Sequence, residues 1–237
     1  MNSTLLDRAK RDLPLYLNDF KTSWEEKFSA ISDKDLIDCY VCTLIYKNWK
    51  ISLNSQNIHT LNDLLDEIHE DVNTAFLYSF LKQYRSSYMH LRSVIELSLQ
   101  MMYFYQHEVE YEQWKEGKFR MKHEDLLDYL KKHPALKQKE SNDLLDQISQ
   151  KWKLFSKHIH AENPNFFQKN ITKRINKGRN RVDDNKWQST FLTTINAINL
   201  ILLIFFKRHI QNIPTQNKQI LVRNLKEENL LSLNITP

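Results

Sequence analysis

Apolar residues recur along this chain at intervals of three and four, the spacing that lines one face of an α-helix. Leu5, Leu6, Leu13, Leu15 and Leu17 mark a first helix to about Phe28. Leu36, Ile37, Val41, Leu44 and Ile45 mark a second, with Ser32 or Asp33 placed to cap its first free N–H groups. Thr60 caps a short helix carrying Leu61, Leu64, Leu65 and Ile68, and from about Val72 a long helix is predicted to run past Phe104. Gly117 breaks the chain, and Leu126, Leu127 and Leu130 form a helix that stops before Pro134. The next runs from about Ser141 through Leu145, Ile148, Trp152 and Phe155 to His158 and His160. Asp183 or Asp184 caps an apolar helix ending near His209, and a short helix is predicted over Gln219–Asn229. No stretch alternates with period two over a strand length. The pattern predicts an all-α fold, a helical bundle with long core helices and extra N- and C-terminal helices. It divides into an N-terminal helical extension (1–70), a bundle core (71–210) and a polar C-terminal tail (211–237).

Composition agrees with that pattern and narrows it. A chain of 237 residues can bury a sizeable core. It has only 2 glycines and 5 prolines, so tight turns and hairpins must be few, and no Gly-rich phosphate loop can be built. Cys39 and Cys42 form a lone Cys-x-x-Cys with neither a βαβ context nor two further ligands, and the expectation is two small buried thiols. No metal-ligand set stands out, so the chemistry expected needs neither metal nor cofactor. The start of the chain is charged and amphipathic rather than signal-like. The most apolar stretch, Leu192 to Phe206, is short for a span of about 20 residues and contains Asn196 and Asn199. A cytoplasmic protein with no membrane partner is the expectation.

Charge brings in a partner. The formal net charge is +5, and Lys169, Lys173, Arg174, Lys177, Arg179 and Arg181 follow one another without an intervening acid up to Val182. Such a run, interspersed with Asn and Gln, can hold phosphates without regard to base sequence. Immediately before it lies Ser156-Lys157-His158-Ile159-His160-Ala161-Glu162-Asn163. Histidine titrates near neutrality, so His158 or His160 could move the protons that phosphodiester cleavage requires: off a ribose 2′-hydroxyl, and onto the departing 5′ oxygen. Two positions apart on a helix they point about 200° apart, so one of them at most faces a shared site. Lys153, and Arg85 with His90 five positions later, are further candidates for the phosphate and the proton. Arg92 and Glu96 lie one turn apart and can pair. The plain alternative is a histidine-rich helix end that complements the helix dipole and performs no chemistry.

The order of these parts resembles the HEPN superfamily of small helical bundles over roughly Leu77 to Phe167. The parts in question are a long helix carrying Arg92 and Glu96, then His123-Glu124-Asp125-Leu126-Leu127-Asp128-Tyr129-Leu130, then Trp152 through Asn163. The resemblance implies a metal-independent endoribonuclease among the toxins and the abortive-infection and anti-phage factors. It also implies a site shared across a homodimer, with RNA ahead of DNA as the partner. The chain departs from the family's pattern of Arg, four to six residues, then His in the final core helix: the Arg position before His158 is occupied by Lys153. Arg85 and His90 match the spacing but lie in the earlier helix. Two other roles stay open, a non-catalytic helical subunit of a multi-protein defence complex and a nucleic-acid-binding protein.

Overall fold

The structure is a computed structural model that describes residues 3–28, 34–166 and 181–233. It is all-α among the described residues, with no strand. The helices are α1 (Ser3–Phe28), α2 (Lys34–Thr43), α3 (Ile45–Asn54), α4 (Asn62–Phe80), α5 (Tyr84–Phe104), α6 (Glu108–Lys115), α7 (His123–Lys132), α8 (Lys139–Ile159), α9 (Arg181–Phe205), α10 (Lys207–Ile210), α11 (Thr215–Val222) and α12 (Glu227–Leu233). A 3₁₀ turn spans Pro164–Phe166. Helix α5 is central: α4, α7, α8 and α9 all pack on it.

Two predicted helices are divided in the structure. The helix expected from Val72 past Phe104 is broken at 81–83, and the one expected over Leu36–Ile45 is broken at Leu44. At the first break, Lys82 adopts φ 53°. Its N–H reaches the Ser79 carbonyl at 3.0 Å, and the Gln83 N–H reaches Tyr78 at 2.9 Å. This is the paired 5→2 and 6→1 bonding of a Schellman end, which usually calls for glycine. The same motif closes α3 at Asn57, α6 at Gly117 and α8 at Ala161. With glycine scarce, the chain puts Asn57, Lys82 and Ala161 into the left-handed conformation, so of these stops only the one at Gly117 carries a glycine signal.

One continuous core joins the ends of the chain. Leu36 through Leu65 from α2–α4 and Leu221 and Leu230 from the C-terminal helices belong to the same buried cluster as the α5, α8 and α9 side chains. The boundary drawn at 70/71 falls inside α4. Helix α9 runs 25 residues, longer than the apolar stretch read from the sequence. Its Asn185–Phe205 segment is long and apolar enough to cross a membrane, yet 56% of that window is buried within the fold. It packs on α2, α5 and α8 as a core helix. Cys39 and Cys42 are buried and free. Burial pushes the Cys42 thiol up to about 12, so it stays protonated.

Buried polar pairs fix the orientation of these helices. The Trp187 indole N–H donates to Ser87 Oγ at 2.7 Å, and Ser87 donates to the Ala75 carbonyl at 2.8 Å, which ties α9 to α5 and α4. Trp49 Nε1 donates to Asn199 Oδ1 at 2.9 Å, while Asn199 Nδ2 donates to the Leu221 carbonyl at 2.6 Å. One amide thus serves α3, α9 and α11. Truncation strands both partners in the core, at about 1–3 kcal/mol each. Asn199→Ala is therefore expected to lower stability by roughly 2–5 kcal/mol in urea unfolding, with the 215–233 segment becoming the first site of proteolysis. A loss under about 1 kcal/mol would show that this amide does not anchor the C-terminal helices.

Candidate functional site

Helices α5 and α8 run antiparallel, and their shared seam gathers four of the candidate residues, Arg85, Arg92, Glu96 and His158. On α5, Arg85, Arg92 and Glu96 are spaced seven and four apart and so share one face. Arg85 meets the C-terminal end of α8 at Ile159, Tyr88 stacks on Phe155 with ring centroids 5.2 Å apart, and Glu96 meets Trp152. The seam therefore brings together residues that stand more than 50 positions apart in sequence.

The upper part of the seam is the end of α8. The Arg85 guanidinium is exposed and donates to the carbonyl of Ile159, the residue that follows His158 in the chain. The His158 ring is half-buried against Tyr88, at 4.7 Å, and lies edge-on to Phe166, at 4.9 Å. Burial first, and the nearby Lys186 ammonium second, hold the His158 pKa below the ordinary 6.5. The imidazole is thus neutral at pH 7 and able to accept a proton. His160 is exposed at the C-cap of α8, on the other side from His158 as the 200° geometry requires. Ala161 follows at φ 48°, and the Schellman bonds of Ala161 and Glu162 to His158 and Lys157 hold this end in place. A non-glycine residue held left-handed is the sort of local strain that collects at functional sites.

The lower part of the seam is an ion pair wrapped in rings. Arg92 Nη2 lies 2.8 Å from Glu96 Oε1, and the same oxygen accepts the Trp152 indole N–H at 2.8 Å. The Arg92 guanidinium carbon is 4.8 Å from the Trp152 ring centre. His123, at the start of α7, stacks on that indole at 4.1 Å with the planes 8° apart. Both His123 ring nitrogens and Arg92 Nε are buried without a hydrogen-bond partner. Burial chiefly, with Arg92 and Lys153 adding to it and Glu124 opposing, brings His123 down to about 4. The Arg92–Glu96 pair is thus held by packing and cation–π contact, and His123 is a neutral ring at physiological pH.

Other candidates fall elsewhere. Arg85 and His90 do not share a site: five residues on a helix turn 140°, so Arg85 faces α8 while His90 faces α4. There, His90 Nδ1 contacts Asp71 Oδ1 at 2.6 Å and stacks on Tyr78 at 5.6 Å. Lys153 and His158 diverge for the same reason. Lys153 is exposed and acts on His123, so it does not occupy the place of the family's Arg. Lys169, Lys173, Arg174, Lys177 and Arg179 lie outside the described residues, and Arg181 opens α9. Two participants were missed by sequence reasoning. Lys186 stands in an apolar helix 28 positions after His158, and His123 entered only as the first residue of the second part of the resemblance, without a role at a site.

Comparison of the chain with models of known families, with curated proteins and with solved structures returned no match.

The His123 geometry sets a pH dependence. Above about 6.5 its ring is neutral folded and unfolded, and its contribution is complete; between 6.5 and about 4 the unfolded chain binds a proton that the native ring refuses, so stability falls as pH falls. His123→Phe keeps a ring on Trp152 and removes the titration. Urea midpoints measured at pH 7 and pH 4.5 are expected to differ less for the variant than for the parent. An equal difference would mean that His123 titrates alike in both states.

Proposed function

We propose that this chain is an HEPN-like protein of anti-phage defence that engages RNA at the end of α8 and cuts it without a metal. The observation that carries this reading is the guanidinium of Arg85 on α5 bonded to the carbonyl of Ile159, the residue after His158, with the Lys186 ammonium near enough to act on the His158 ring. The arginine that the family's spacing would put on the same helix as its histidine is here supplied by the helix packed against it. Neutral His158 would take the proton from a ribose 2′-hydroxyl, and that oxygen would attack the adjacent phosphorus. The bond to the 5′ oxygen would break and the leaving oxygen would take up a proton from water while the His158 imidazolium returned its own to solvent, leaving a 2′,3′-cyclic phosphate and a 5′-hydroxyl. Arg85 and Lys186 would hold the phosphate as charge builds on its oxygens. The Arg92–Glu96–Trp152 cluster would serve as a positioning group, keeping α5 and α8 in register.

The alternative role, a non-catalytic subunit of a defence complex, is favoured by a different feature. Leu13 and Leu17 of α1, one turn apart and on the same side of the helix, are 54% and 53% exposed, and α1 packs chiefly on α4. An apolar face of this kind suits a partner subunit.

Incubation with total RNA separates the two. His158→Ala and Arg85→Ala are expected to cut at least about 100-fold more slowly than the parent, the scale of a lost acid–base group, while His160→Ala cuts normally. The parent rate should rise with pH through a value below 6.5 and be level above it, because the base works unprotonated. Cleavage by none of the proteins, or equally by all, would remove the catalytic claim. Co-purification with a second polypeptide that depends on Leu13 and Leu17 would then favour the accessory role.

A further inference from the structure

A large cleft lies away from the α5–α8 seam. It is a cleft of about 1780 Å³ between α8, α9 and the C-terminal helices, and none of the sequence-predicted candidates lines it. Small-molecule sites run to about 1,000 Å³, so the cleft is sized for a length of polymer.

Its wall carries an ordered set of polar groups. Gln56 Nε2 donates to the carbonyls of Ser52 and His209, so Gln56 Oε1, 2.8 Å from His209 Nδ1, must accept from that ring. The proton of neutral His209 is thereby on Nδ1, and Nε2 accepts from the Tyr105 hydroxyl at 3.0 Å. The Tyr105 proton is committed inward, which leaves its oxygen an acceptor toward the cleft. Next to it, His133 Nδ1 accepts the Ala135 N–H, so His133 Nε2 donates to Gln106 Oε1 at 3.0 Å. Gln106 is exposed, and its amide NH₂ is left as a donor. Both rings are held neutral, burial pushing His133 and His209 below the ordinary 6.5.

The Tyr105 oxygen and the Gln106 amide thus give the cleft wall one acceptor and one donor, the two kinds of group that a nucleobase edge pairs with. The floor is apolar, from Ala197, Leu200 and Ile204, and Tyr105 supplies an aromatic ring, as single-strand platforms do. Arg208, exposed at the rim, supplies a cation for phosphate. We propose that this cleft binds a segment of single-stranded RNA, with Tyr105 and Gln106 reading a base edge and Arg208 holding the backbone. The proposal rests on the RNA reading above and adds to it a second contact region, which would select the strand that reaches the α8 end.

The test is fluorescence anisotropy of the full chain with labelled oligo(A), oligo(C) and oligo(U) of equal length. Arg208→Glu is expected to weaken all three about equally, by about tenfold, with a shallower salt dependence. Gln106→Glu keeps the acceptor for His133 but turns the cleft-facing donor into an acceptor, and is expected to change the rank order of the three oligomers. Circular dichroism checks that each variant is folded, and His158→Ala serves as the control at the other site. Cleft variants that bind all three oligomers as the parent does would overturn the cleft assignment; weaker binding by His158→Ala would then leave the RNA reading standing. No binding by the parent protein would overturn both.

Discussion

The antiparallel packing of α5 on α8 is the constraint on which the rest of this structure depends. The stack of Tyr88 on Phe155 and the indole bond from Trp152 to Glu96 fix the two helices in one register. A shift of one residue would rotate every α5 side chain by 100°. Arg85 would then leave the end of α8, and Arg92 would lose Trp152. The site is thus a property of the pairing of two helices, and neither carries it alone.

Around that pair, the other helices restrict what it can do. Helix α7 brings His123 onto Trp152 and closes the lower seam. Helix α9 contributes Lys186 to the upper seam and is itself anchored by Trp187 to Ser87 of α5. The same bundle has two chemically distinct ends. One end has a half-buried, neutral histidine with Lys186 near it and Arg85 bonded to the carbonyl of the next residue. The other is a broad cleft with fixed donors and acceptors on its wall. A protein that holds a long flexible polymer and acts on one bond of it would use both.

Much of the fold was legible in the sequence, because periodic apolar residues report helices directly. Helices α1, α7 and α8 were read nearly to their ends. The breaks inside the expected helices were not legible, since the stop signals on which such reading relies are Gly and Pro, whereas the chain breaks at Lys82 in one and at Leu44 in the other. The site was legible only as a list of residues. His158, Arg85, Arg92 and Glu96 were all named, yet the spacing of Arg85 and His90 suggested a partnership that helical geometry forbids. What brings Arg85 to His158, and Lys186 with them, is tertiary packing across three helices, which no local pattern encodes. The Tyr105–His209–Gln56 chain was invisible for the same reason, as its members lie 49 to 153 positions apart.

The central claim is that His158 is a neutral base at a phosphate-binding helix end. Its titration followed by proton NMR, in the free protein and with a saturating ribodinucleotide monophosphate, tests that claim most directly. A midpoint below 6.5 is expected in the free protein, moving upward when the bound phosphate stabilises the imidazolium. A midpoint at the ordinary value, or one that the dinucleotide leaves unmoved, would contradict it.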